Sequence, residues 1–181
     1  MSIEIIVSLI AALGVGGILG AILNRRFEQQ KQTNEHDVKI FTQSNEILSE
    51  QKLIDIANFH LLSDHSIVND DFFLLTGWCT FFERIGNQYL DKGISKENQK
   101  LFDDLNQLTD FVATNFFTIR GQSSSNKSQY LYPDWNIDRG IPSLEEREKY
   151  NEYAKELKVL TRKVLKQYSE YRLAIKQNLK I

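Results

Sequence analysis

The sequence predicts an all-α protein: one N-terminal transmembrane helix followed by a four-helix, bundle-like cytoplasmic domain. Three observations predict it. Residues 5–23 are nineteen uncharged, mostly apolar residues, closed by Arg25 and Arg26. From residue 27 onward, apolar positions recur at helical spacing nearly throughout. Both prolines, Pro133 and Pro142, lie in one long connection, residues 120–142. The expected division is an anchor over 1–26 with its span at 5–23, a juxtamembrane helix over 27–48, and a helical domain over 49–181.

Nineteen residues at helical rise cover about 28 Å, close to the thickness of a bilayer's hydrocarbon core. A cleaved signal peptide fits less well, because the chain begins Met1-Ser2-Ile3-Glu4 with no positive n-region and no small-x-small site follows the run. A long buried core helix is the remaining alternative. Arg25, Arg26 and Lys31 follow the span and Glu4 precedes it. The positive-inside rule then places the N-terminus out and residues 27–181 in the cytoplasm of a bacterial cell, with the inner membrane as location and the lipid bilayer as partner. Cys79 is the single cysteine, so no disulfide framework points to an oxidising compartment. Ser8, Ala12, Gly16 and Gly20 form a small-residue face at i, i+4. In lipid such a face lets two helices approach closely and assemble as a homo-oligomer, although glycine is common in membrane helices for other reasons too.

Residues 27–48 are polar with sparse apolar positions and read as a continuation of the first helix. A second helical stretch, Ser49 to Leu62, is ended by "SDHSIVND". Leu74, Leu75, Trp78, Phe81, Phe82, Ile85 and Tyr89 share a sector of about 120° and predict a helix over 70–92. Lys92-Gly93 supplies its end. Ser95 is then placed to cap a helix whose Leu101, Leu105, Leu108, Val112, Phe116 and Ile119 share one face. Ser143 and Glu146 have capping-box spacing and open a last helix reaching about residue 178, with acids early and bases late.

The charge balance, −2 overall, gives no case for a general nucleic-acid binder. No Walker loop, GxSxG or paired catalytic carboxylates stand out, so the expected function is not enzymatic and no cofactor is implied. His60, Asp64 and His65 are metal-ligand types, but no HExxH or cysteine partner accompanies them, and the plainer account is a helix end with its turn residues. No metal is expected. Cys79 sits at the edge of an apolar face, as a small half-buried side chain does.

The long connection interleaves Arg120, Lys127 and Arg139 with Tyr130, Tyr132 and Trp135. Stacking surfaces beside cations suit a nucleotide or a single strand. The plainer account is that these aromatics anchor the loop. The last helix adds a basic run that includes Arg162, suited to an anionic ligand or anionic lipid, or simply solvated.

The stretch "WCTFFERIGNQYLDKGI", residues 78–94, resembles a pattern of small bacterial membrane-anchored helical proteins of unknown function, through Phe81, Phe82, Glu83, Ile85, Gly86, Tyr89 and Gly93. The resemblance implies an anchor and a helical domain and carries no activity. A looser, architectural likeness is to membrane effectors of bacterial antiviral systems, some of them opened by cyclic oligoadenylates. The expected function is therefore a single-pass inner-membrane protein whose non-enzymatic cytoplasmic domain binds an unknown protein partner or self-assembles. The alternative is a membrane effector gated by a nucleotide bound at Tyr130, Tyr132, Trp135, Arg139 or Arg162.

Overall fold

The computed structural model describes residues 3–119 and 128–181, with side chains from Gly20 onward. The fold is mostly helical. Helix α1 spans Ile3–Ile47, α2 Glu50–Asp55, α3 Asn69–Glu83, α4 Lys92–Asn115 and α5 Leu144–Leu179. Residues 27–47 continue the first helix, as their pattern predicts: α1 runs unbroken for 45 residues.

Among the described residues, no helix is long and apolar enough to cross a membrane. The part of α1 with described side chains begins at Gly20 and soon carries Arg25, Arg26, Glu28, Lys31 and Glu35, all exposed to solvent. This finding overturns the expected single-pass inner-membrane protein and its location, and with it the gated membrane effector. Of the small-residue face, Ser8, Ala12 and Gly16 lie outside the described side chains. At Gly20 an added Cβ would meet nothing within 4 Å. Arg25, Arg26 and Lys31 are exposed, and Lys31 lies 3.9 Å from Glu35 one turn on.

The second half of α1 joins the domain through Asp37, Ile40 and Ser44, with Leu48 just past its end, all buried at helical spacing. Asp37 is the unexpected member. Its carboxylate accepts from the Leu90 and Asp91 amides at 2.8 and 2.9 Å, tying α1 to the turn before α4. Ser49 caps α2, and the chain then widens into a π-helix over Ile56–Asp64 instead of continuing as α-helix. The His65 amide closes it by donating to the carbonyl of His60, five residues back.

Helix α3 ends at Glu83, nine residues before the expected end. Arg84 is extended, a 3₁₀ turn follows at Ile85–Asn87, and Asn87 donates to the Phe81 carbonyl at 2.8 Å. Ile85 is consequently 88% exposed and not part of the core, whereas Tyr89 is buried from the loop. Asp91, not Ser95, caps α4, accepting from Gly93 and Ile94. Leu101, Leu105, Leu108 and Val112 of α4 pack on Leu157, Leu160 and Val164 of α5, forming the main helical interface. Burying each such side chain contributes about 1.5–3 kcal/mol.

The connections hold a small sheet that an all-α reading does not contain. Strand β1 is Ser66–Val68, β2 Phe116–Phe117 and β3 Ser128–Leu131, in the antiparallel order β1-β3-β2. Ser66 pairs with Tyr130 and Phe116 with Leu131. After β3 comes a 3₁₀ turn at Pro133–Trp135, then irregular chain to Ser143. The Ser143–Glu146 capping box is formed and α5 reaches Leu179, as its spacing predicts.

Candidate functional site

The sheet draws three segments together at one end of the helices: the close of the π-helix, the chain after the 3₁₀ turn, and the first turns of α5. Between them lies a cleft of about 400 Å³, within the range of small-molecule sites. Ser63, Asp64 and His65 form one wall. Trp135 to Arg139 form the second, and Arg147, Tyr150 and Asn151 of α5 form the third.

A hydrogen-bond chain crosses its floor. The Asn136 amide donates to the Tyr150 hydroxyl at 3.0 Å, and that hydroxyl lies 2.8 Å from His65 Nδ1. The phenol has one hydrogen of its own and Nδ1 is in reach: with the phenol donating, the imidazole proton sits on Nε2, and with Nδ1–H donating, Nε2 is an acceptor. Burial lowers the pKa of His65, the nearby Asp64 opposing it. The ring is therefore neutral at pH 7. Burial raises the Tyr150 pKa, partly countered by Arg139, so the phenol keeps its proton.

The backbone fixes both ends of this chain. His65 is left-handed, at φ 46°, and its carbonyl accepts from Leu131 at 2.9 Å. Asn136 is buried, its side chain accepts from the Asp138 amide, and its carbonyl accepts from Arg139 and Gly140. Gly140 is required by close approach, because a Cβ there would sit 2.9 Å from the Asp134 carbonyl oxygen.

Two arginines stand at the rim. Arg139 lies over the Tyr130 ring, 3.9 Å from its centroid. Arg147 is exposed on α5. Among the described residues, neither lies within 4 Å of a carboxylate. Asp64 and Asp138 also line the cleft, so it offers both signs of charge.

The structure thus brings Tyr130, Trp135 and Arg139 to one place. Tyr132 lies behind, at φ 33°, stacked on Trp135 at 4.1 Å and bonded through its hydroxyl to Asn115. This is the anchoring role that the plainer account assigns. Arg162 does not line the cleft, standing exposed about 22 Å along α5 from Arg147. Arg120 and Lys127 lie outside the described residues. Arg147, Asn136 and Tyr150 also line the site, and no motif in the sequence marks them as ligand-binding; the i, i+4 spacing of Arg147 and Asn151 on one helix face is the one local signal for them.

His60 and His65 are not brought to one ion. His60 Nε2 lies 3.6 Å from the buried Asp71, which Lys52 holds at 2.6 Å, while His65 faces Tyr150. Among the described residues, no three His, Cys, Asp or Glu side chains gather as a metal site. Cys79 is buried, and burial beside Glu83 and Asp110 pushes its thiol up to about 12, so it is no nucleophile at neutral pH.

No protein-family model, curated protein or solved structure matches the chain.

Proposed function

We propose that this chain is a non-enzymatic binding module whose cleft takes a nucleotide-type phosphate. Its frame is read as a four-helix, bundle-like packing of the second half of α1 with α3, α4 and α5. The observation that carries the reading is the pair Arg139 and Arg147, free of carboxylate partners among the described residues, at the mouth of a cleft with a hydrogen-bonding floor. Guanidinium groups bind phosphate oxygens in pairs, and they do so most readily when no carboxylate already occupies them. Trp135 supplies a ring at the cleft edge. Asp64 and Asp138 suit the amino and hydroxyl donors of a nucleoside, and Nε2 of neutral His65 adds one hydrogen-bonding atom.

The test is calorimetry of the intact chain with ADP, a cyclic trinucleotide and inorganic phosphate. ADP or the cyclic nucleotide should bind saturably, and Arg139→Gln or Arg147→Gln should each weaken binding about tenfold, roughly 1.4 kcal/mol. Absence of both heat and thermal shift with every ligand would reject the reading.

A protein partner is the second reading, supported by Ile137, Ile141 and Leu144 beside the cleft, which are 60%, 103% and 72% exposed. On that reading Ile141→Asp lowers capture of the partner and leaves nucleotide heats unchanged.

A further inference from the structure

The outer face of α5 is charged out of proportion to the rest of the chain. Residues 155–180 hold eight cations and two carboxylates, a net +6 in a chain whose total is −2, so the remainder carries −8. Lys158, Arg162 and Lys166 follow one another at i, i+4, a spacing at which like charges destabilise a helix. An anionic partner relieves that repulsion.

The domain itself uses two of the eight. Lys163 lies 2.8 Å from Asp104, and Arg172 lies 3.2 Å from Glu50. Lys155, Lys158, Arg162, Lys166 and Lys176 are exposed, and none has an ion pair among the described residues. At 100° per residue these five fall within about 80° of one another, with Glu156 and Glu170 outside the sector. The stripe from Lys155 to Lys176 is about 32 Å long. Leu173 lies inside the sector and Val159 at its border, 50% and 59% exposed. They stand two heptads apart, so a helix laid along α5 meets both.

The charge calls for a polyanion, and the rest of the face selects its kind. A single strand of nucleic acid binds largely by stacking its bases, and both tyrosines of this stretch, Tyr168 and Tyr171, are buried. Exposed ion pairs contribute little one by one, so apolar contact must add to them. We propose that this face docks an acidic amphipathic helix of a partner protein, its carboxylates on the five cations and its apolar seam on Val159 and Leu173. The stripe lies beyond the first turns of α5 that wall the arginine-rimmed cleft, so it stands independently of what that cleft binds.

The experiment is fluorescence anisotropy of a labelled peptide of about 21 residues, matched to the stripe, with the intact chain. The peptide carries leucine at two positions of each heptad and glutamate and alanine at the rest. The controls are a scrambled peptide of the same composition, an oligothymidylate of equal charge, and phosphatidylserine–phosphatidylcholine vesicles. The patterned peptide should bind saturably and at least tenfold tighter than the scrambled one, and should weaken at least tenfold at about 0.5 M salt. Lys158→Glu/Arg162→Glu/Lys166→Glu should abolish binding, and Val159→Asp should weaken it at least threefold. If the triple variant does not fold, Arg162→Gln/Lys166→Gln removes charge only, at exposed positions, and should weaken binding at least threefold. Equal binding of the scrambled peptide, tighter binding of the oligothymidylate or the vesicles, or binding unchanged in the variants would overturn the proposal. So would dimers of the chain alone that the charge variants abolish, which would make a second copy the occupant.

Discussion

Replacing Tyr150 by Phe removes one oxygen and keeps the ring, which makes it the sharpest probe of the cleft floor. The hydroxyl accepts from Asn136 at 3.0 Å and meets His65 Nδ1 at 2.8 Å. Asn136 is 9% exposed, so its amide donor is left buried without a partner, whereas His65 is only partly buried and can turn to water. One buried unsatisfied donor costs about 1–3 kcal/mol. The ring stays in place, so no cavity term is added. For a chain of this size the loss lowers the melting temperature by about 2–4 °C per kcal/mol, or roughly 4–8 °C for a central 2 kcal/mol. Circular dichroism melting measures the shift. Long-range nitrogen–proton NMR of the imidazole measures the second consequence: the tautomer balance that the phenol sets in the wild type shifts in the variant. A melting temperature within 1 °C of wild type, with the tautomer balance unchanged, would refute the hydrogen-bond chain.

Other consequences follow from single residues. The folded-state pKa of His65 is lowered, so the unfolded chain binds more protons there in mild acid; the stability that depends on a neutral His65 is full above the unfolded value of 6.5 and is lost as pH falls through the folded value. Chemical denaturation from pH 7.5 to 5 should therefore show a steeper loss for wild type than for His65→Gln. Asp37→Ala leaves the Leu90 and Asp91 amides without their shared carboxylate and should cost about 2–4 kcal/mol, measured by denaturant unfolding. Cys79, with its thiol pushed up to about 12 and buried, should resist an aromatic disulfide reagent at pH 8 in the native state and react at once in denaturant.

Much of the helical frame is legible in the sequence because amphipathic spacing and caps are local signals. The α4–α5 interface, the Ser143 capping box and the Ser49 start of α2 all announce themselves within a few residues. Helix α3 is misjudged at its end because Ile85 and Tyr89 continue the 3.6-residue period by coincidence; the break depends on Asn87 reaching back to Phe81, which periodicity does not see. The π-helix has no sequence signature, and the sheet consists of two- to four-residue strands whose pairing joins Ser66 to Tyr130 across 64 residues. The membrane reading rested on hydropathy of one segment. The described part of α1 carries charge from Arg25 onward, and no described helix satisfies the length and apolarity of a span. In the loop, Tyr130, Trp135 and Arg139, which aromatic and cationic composition picks out, lie close together. Charge alone picks out Arg162, and only the fold shows that Arg147, four turns earlier, occupies the rim.

The central claim is that the arginine-rimmed cleft holds a nucleotide-type phosphate, and native mass spectrometry of the intact chain with added ADP and cyclic trinucleotide tests it directly. The account predicts one ligand mass per chain, lost in the Arg139→Gln/Arg147→Gln double variant and retained in Arg162→Gln. A bare chain at every ligand concentration, or equal retention in the double variant, would contradict it.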